Sequence, residues 1–346
     1  MLILLVVTVA LWAAGFLLLP RRPCWDAAEV PPSTPSLSII IPARNEEHNL
    51  PTLLKSLAAQ SVRPAEILVV DDGSTDRTGE IARQLGATVV ISQPLPDDWH
   101  GKTWACHQGA QAAAGEWLCF VDADTCFEAG GLARILSCYR GGAFSVGPWH
   151  AVKRPYENLS LFFNLNMVAG TGNHGLFGQM LLVDRNSYLW VGGHVVVRRC
   201  ILENFQLAQH FLAAGVPVRS VIGKGVFAFR MYPGGVGELI EGWIKGFAAG
   251  AGQTPRATLC LIVAWMTGLM IAASGCVQSG AQLAWVLIYL SCAAQVAWFG
   301  RRVGAFRWYA ALFYPLPLLF FFVVFGLSAL RSGNKVTWKG REIHAD

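Results

Sequence analysis

The sequence predicts an α/β protein, with a mostly parallel sheet covered by helices and flanked by apolar segments of membrane length. Three observations carry that expectation. Between residues 37 and 229 short apolar runs alternate with helical patterns, as repeated βα units do. Long apolar runs stand at both ends of the chain, each able to match a bilayer core. Only 14% of the residues are charged, against about a quarter in soluble domains, so part of the chain is expected to be solvated by lipid.

The elements follow in order. Residues 2–19 are apolar throughout and precede Arg21 and Arg22. No basic region precedes the run and no small-residue cleavage site follows it, so 1–22 reads as a retained transmembrane anchor. The arginines behind it put the next segment in the cytoplasm. A Pro-rich linker over 23–35 leads to a domain over 36–235. There 38–41, 66–70, 87–91 and 116–121 read as strands, and 46–59, 76–85 and 104–114 as helices. Continuous apolar strands belong to a sheet covered on both faces, and ligands of such sheets bind beyond the strands' carboxyl ends.

The last part of the chain returns to membrane character. Val236, Leu239, Ile240, Trp243, Ile244 and Phe247 share one helical face, so 236–255 is expected to be an interfacial amphipathic helix. Residues 257–276 and 281–299 are long enough to span. Residues 309–330 are apolar but interrupted by Pro315 and Pro317. A third full span would put the basic tail, 331–346, on the wrong side of the positive-inside rule. The region 256–330 is therefore read as two spans and a re-entrant segment bent at the prolines. Together these features describe a multi-pass protein of the inner membrane with its domain cytoplasmic.

Chemistry concentrates at strand ends. Phe120-Val121 runs into Asp122-Ala123-Asp124. Positions two apart on a strand share a side, so both carboxylates can serve one divalent cation, Mn2+ or Mg2+, beside phosphate oxygens. Val69-Val70 ends in Asp71-Asp72, and the first strand ends in Pro42-Ala43-Arg44-Asn45-Glu46. Three successive strand ends with polar clusters describe a nucleotide pocket. Gly101-Lys102 opens a helix, where backbone amides and an ammonium can meet phosphate. Pro96 breaks the glycine spacing of a Walker loop, which excludes that reading. The net charge of +5 is unclustered and suits an anionic leaflet rather than nucleic acid. Nine cysteines without a CxxC pair read as buried thiols.

The strings PARNEE, VVDDGSTD, GKTWACHQG and FVDAD together resemble a family 2 glycosyltransferase. The likeness runs through nearly the whole chain. GGH at 192–194, AFRMYPGG at 228–235, EGWIKGFAAGAG at 241–252, RRVGAF at 301–306 and WKGR at 338–341 resemble a narrower branch that glucosylates a carotenoid acid. The resemblance implies a GT-A, Rossmann-like domain and inverting transfer from a UDP-sugar, UDP-glucose first, to an apolar lipid acceptor reaching the site from the bilayer. It implies that Pro42, Arg44, Glu46, Asp71 and Asp72 hold the uridine and that Lys102 lies near the diphosphate. Asp122 and Asp124 would form the metal centre, with Asp124 the direct ligand. The family usually carries Glu-Asp at the start of a later helix. Here Glu203-Asn204 stands there, which leaves Glu203 as the candidate base. A carboxylic-acid acceptor fits the missing aspartate, since it is already ionised near neutral pH. Arg230 and Trp243 are expected to line the acceptor groove. A hopanoid or polyprenyl-phosphate acceptor, and a chain that binds nucleotide without catalysis, are the alternatives.

Overall fold

The computed structural model describes residues 2–18, 35–172, 175–250, 254–280, 282–331, 336–338 and 341–343. The Pro-rich linker, apart from Pro35, and most of the basic tail lie outside the described residues. The chain divides into two compact units. A sheet unit comprises Arg22–Trp149, Asn173–Phe229 and Lys335–Asp346, and a helical unit Met1–Arg21, His150–Gly172 and Arg230–Asn334. The continuous domain expected over 36–235 is thus interrupted by His150–Gly172, which packs with the helical unit. Elements are numbered in chain order through both.

The sheet unit runs β1 (Leu37–Ala43), α3 (Leu50–Ala58), β2 (Glu66–Asp71), α4 (Thr78–Gln84), β3 (Thr88–Ile91), α5 (Gly101–Ala112), β4 (Trp117–Val121), β5 (Thr125–Phe127), α6 (Gly131–Cys138) and β6 (Ala143–Gly147). After the two-residue β7 (Trp149–His150) the chain leaves, and it returns for β8 (Met180–Asp184), α8 (Arg185–Trp190), α9 (Glu203–Ala213), β9 (Val218–Ile222) and β10 (Phe227–Phe229). The main sheet has the order β3-β2-β1-β4-β8-β6-β9. β1 pairs in parallel with β2 and β4, and β2 with β3. β8 is antiparallel to both neighbours. β5, β10 and β7 form a separate three-stranded sheet in that order, with β5 and β10 antiparallel.

Alternation along the strands builds a core on each face. Ile39, Ile41, Val69, Cys119, Val121 and Leu182 pack beneath α3 and α6, through Leu53, Leu54, Leu57 and Ile135. Ile40, Leu68, Val70, Phe120 and Leu181 pack beneath α5 and α9, through Ala105, Ala110, Leu207 and Phe211. Each such aliphatic side chain contributes about 1.5–3 kcal/mol on burial. Gly109 lets α5 lie against β1: a Cβ there would meet Ile40 Cγ2. Cys106, Cys119 and Cys292 are buried free thiols. Cys138 is disulfide-bonded, which scattered spacing does not signal.

In the helical unit, α1 (Leu2–Ala13) and α2 (Gly15–Leu18) lead to α7 (Leu161–Thr171), α10 (Val236–Gly250), α11 (Arg256–Gln278), α12 (Leu283–Val303), α13 (Trp308–Leu312) and α14 (Pro315–Arg331). Among the described residues α11 and α12 are long and apolar enough to cross a membrane. The N-terminal run corrects the expectation of an unbroken transmembrane anchor over 1–22. Its described part, Leu2–Leu18, breaks at Ala14, is shorter than the helices of membrane length, and packs on α11. Gln295 Nε2 takes the Trp12 carbonyl at 3.1 Å while its Oε1 accepts from Trp265 Nε1 at 2.7 Å. A Cβ on Gly15 would sit 2.6 Å from the Trp265 ring. A diverted carbonyl beside a glycine breaks the helix there.

The apolar face of the helix expected at the interface packs in part on protein. Leu239, Trp243 and Ile244 are buried, with Trp243 stacked on Phe163 at 4.6 Å and donating to Ser160 Oγ at 3.0 Å. Periodicity marks an apolar face but not its partner, and protein covers Leu239, Trp243 and Ile244 of this one while Val236 stays exposed. The helix breaks before the prolines: α13 stops at Leu312, and Pro315 opens α14, which continues through Pro317 to Arg331.

Candidate active site

β1, β2 and β4 run the same way, so their carboxyl ends share one edge of the sheet. Because β8 is antiparallel, it begins at that edge, and Gln179 O accepts from Asp122 N at 3.0 Å. α5 and α9 also start there, bringing Lys102 and Glu203 to the same place.

Lys102 Nζ is the hub. It lies 2.7 Å from Asp122 Oδ1 and 2.8 Å from Glu203 Oε1, and donates to Gly178 O at 3.0 Å. Burial alone would lower its pKa, but Asp122 and then Glu203 outweigh that and hold it above its ordinary value. Glu203 is buried. Burial raises its pKa, Lys102 offsets part of that rise, and Asp122 adds to it.

Asp124 opens to solvent at the end of the same turn. Crowding by protein, then the Asp122 and Glu46 carboxylates, push it up to about 7. Like charges here outnumber the one ammonium, the condition a divalent cation would relieve. Among the described residues no three His, Cys, Asp or Glu side chains form a closed metal cage. An open pair of carboxylates completed by phosphate oxygens suits a magnesium-type ion, so Asp122 and Asp124 fit that group.

The other strand ends are organised by one another. Asn45 is held at φ 53. Its backbone N–H donates to Ser74 Oγ, that of Glu46 to Thr78 Oγ1 at 2.8 Å, and that of Glu47 to Asp76 Oδ2. These bonds satisfy N–H groups that would otherwise open a helix, so α3 starts at Leu50 rather than at the expected residue 46. Arg44 Nη1 donates to Asp72 O at 2.5 Å and Gly73 O at 3.0 Å. Asp71 Oδ1 accepts from Ser74 N at 2.9 Å, and Asp72 is buried. Pro42 pairs in register with Val70. Arg44, Glu46, Asp71, Asp72, Lys102, Asp122, Asp124 and Glu203 therefore belong to one edge of one unit.

Arg230 and Trp243 lie in the helical unit, engaged there. Arg230 forks onto Glu157 Oε1, at 3.1 Å from Nε and 2.6 Å from Nη2, and Trp243 is packed as described. Sequence reasoning marked Asn204 only as a missing aspartate and missed both its structural task and Gly178. Asn204 Nδ2 donates to Phe177 O at 3.0 Å and Gly178 O at 3.1 Å, a task that an aspartate cannot perform. Nothing local marks Gly178, whose carbonyl arrives through the β8 register. Asp76 Oδ1 accepts from Thr78 N and Oγ1 ahead of α4.

Residues 38–172 match the family model described as "Glycosyl transferase family 2". The chain is 35% identical to the 4,4'-diaponeurosporenoate glycosyltransferase of Staphylococcus aureus strain USA300, over 98% of its own length and 96% of that protein. The protein of strain MRSA252 with the same description is also 35% identical, over the same shares. The chain belongs to glycosyl transferase family 2. Among solved structures, the mannosyltransferase PcManGT from Pyrobaculum calidifontis, in complex with GDP-Man and Mn2+, superposes with a TM-score of 0.53 at 20% identity, covering 95% of this chain and 98% of that one. That likeness extends the GT-A fold of the family 2 enzymes to this glycosyltransferase.

Proposed function

We propose that this family 2 enzyme transfers glucose from UDP-glucose, with inversion, to the carboxylate of an apolar acid such as a carotenoid acid, at the cytoplasmic face of a membrane. The observation that carries the proposal is the grouping of Lys102, Asp122, Glu203 and Asp124 at the carboxyl edge of the sheet. The relative's name supports the acceptor class, and α11 and α12 support a membrane location.

In this reading Arg44, Glu46, Asp71, Asp72 and Pro42 frame the uridine. Lys102 presents its ammonium to the diphosphate while Asp122 and Glu203 fix its position. A divalent cation held by Asp124 and Asp122 would supply Lewis-acid neutralisation of the leaving diphosphate. The acceptor carboxylate oxygen attacks the anomeric carbon, the bond from that carbon to the diphosphate oxygen breaks, and an ester and UDP result. No proton moves, because the acceptor is ionised near neutral pH. Asn204 is occupied by two carbonyls, consistent with a reaction that needs no base at that position.

A second reading rests on Glu203. A buried carboxyl with a raised pKa is what an alcohol acceptor such as a hopanoid would require of a base. The discriminating experiment gives membranes containing the protein Mn2+ and radiolabelled UDP-glucose with a carotenoid acid, a hopanoid alcohol or a polyprenyl phosphate. Label on the carotenoid acid that disappears with Asp124→Ala and survives Glu203→Gln supports the proposal. Label on the alcohol that disappears with Glu203→Gln moves the assignment to the second reading. Absence of label on every lipid, with UDP-sugar binding intact, overturns both.

A further inference from the structure

The chemistry above gives the Gln179 side chain no task, although it stands at the catalytic edge, one residue before β8. Its backbone is firmly held. Its carbonyl accepts from Asp122 N at 3.0 Å. Just before it, Phe177 N donates to Ser145 Oγ, and Ser145 Oγ to Met180 O, both at 2.8 Å. Asn204 Nδ2 and Lys102 Nζ both donate to Gly178 O, at 3.1 and 3.0 Å. Alternation assigns the side chain a face. Leu181 and Val183 of β8 pack in the core beneath α5 and α9, so Gln179 belongs to that side of the sheet. Asp122, opposite it in the register of β4 and β8, turns the same way to meet Lys102 of α5.

Gln179 Oε1 is buried and has no hydrogen-bond partner among the described residues. A buried acceptor without a donor is destabilising, and native folds keep few of them. The order of the strands indicates which donor it awaits. Along the edge β2, β1, β4 and β8 are successive neighbours, about 4.8 Å apart. Under the proposed function, on which this inference rests, Asp71, Asp72 and Arg44 at the ends of β2 and β1 take the uridine. Asp122 at the end of β4, with Lys102, takes the diphosphate. The group that follows the diphosphate in a UDP-sugar is the sugar, and the strand that follows β4 is β8. An ionised diphosphate or acceptor carboxylate offers only lone pairs, so neither can satisfy Oε1. Each sugar hydroxyl carries a donor.

We propose that Gln179 recognises the transferred sugar, its Oε1 accepting a hydrogen bond from one hexose hydroxyl. The held backbone fixes where that oxygen stands, so the site selects for a hydroxyl at one place on the ring. A donor sugar lacking it leaves Oε1 buried without a partner and is discriminated against on that account.

The test measures binding to the full chain in nanodiscs, with Mn2+ present and no lipid acceptor. The ligands are UDP, UDP-glucose and UDP-glucose analogues lacking the 2-, 3-, 4- or 6-hydroxyl. Gln179→Met removes the amide and keeps much of the side chain's length. Its Kd for UDP-glucose is expected to rise about 3–10-fold while its Kd for UDP stays unchanged. The ligand-free variant should melt no lower than the unaltered protein, because an acceptor without a donor has been removed. With the unaltered protein, one analogue should bind more weakly than UDP-glucose by the same factor, and Gln179→Met should no longer distinguish the two. Equal binding of UDP-glucose and every analogue by the unaltered protein would overturn the inference without need of a variant. So would a penalty for one analogue that persists undiminished in Gln179→Met. Equal weakening of UDP and UDP-glucose in the variant would assign Oε1 to the cation or the diphosphate and overturn it as well. If the unaltered protein bound neither UDP nor UDP-glucose, the UDP-sugar reading itself would fall, and this inference with it.

Discussion

Two clusters of charge, one in each unit, differ in balance. In the helical unit Glu157 is fully satisfied. It accepts from the backbone N–H groups of Lys153 and Arg154 and from the fork of Arg230. Although burial alone would raise its pKa, these donors hold it below its ordinary value. At the sheet edge one lysine serves two carboxylates, and two more crowd nearby. There Glu203 and Asp124 move the other way, upward. A balanced cluster supports the fold. An unbalanced one retains a demand for positive charge, which a cation or a substrate can meet.

Breaking the balanced cluster is expected to have the largest effect on stability. Arg230→Ala leaves Glu157 buried without its cation, and removal of one partner of such a pair costs about 3–5 kcal/mol. A thermal denaturation midpoint close to that of the unaltered protein would remove the distinction between the clusters. Asn204→Asp should cost less, about 1–3 kcal/mol, because the Phe177 and Gly178 carbonyls lose their donor. Transfer activity should fall with it, and a gain in activity would mean that a base is wanted at that position after all.

Asp124→Asn should leave the metal-free protein as stable as before or slightly more so, since like-charge crowding is relieved. Transfer should nevertheless drop about 100-fold or more. Loss of stability instead would make Asp124 part of the fold rather than of the site. The smallest effect concerns pH. A carboxyl raised to about 7 from an ordinary value of about 4 binds more protons folded than unfolded. Metal-free stability therefore declines as pH rises between those values and levels off above the higher one. Mn2+ should stabilise the protein more at about pH 8 than at about pH 5.5, because only ionised Asp124 can ligate it. An equal Mn2+ shift in melting temperature at both values would remove Asp124 from the metal centre.

Much of the sheet unit was legible because its signals are local. Short continuous apolar runs place β1, β2 and β4. Strand-end carboxylates and a Gly-Lys helix start name most of the residues that meet at the edge. The helical unit was less legible. The face of Trp243 was assigned to lipid and is covered by Phe163 and Ser160. The N-terminal run was read as an unbroken transmembrane anchor and is broken beside Gln295 and Trp265, more than two hundred residues away in sequence.

By itself, then, the sequence determined the α/β class, the edge at which polar residues collect and the helices of membrane length, because each rests on periodicity or on neighbours along the chain. Only the tertiary structure decided that Lys102 bridges Asp122 and Glu203, that Asn204 holds a loop rather than a proton, and which apolar faces meet protein. Those outcomes depend on strand order and on the antiparallel register of β8, and no local pattern encodes which distant segment a side chain will meet.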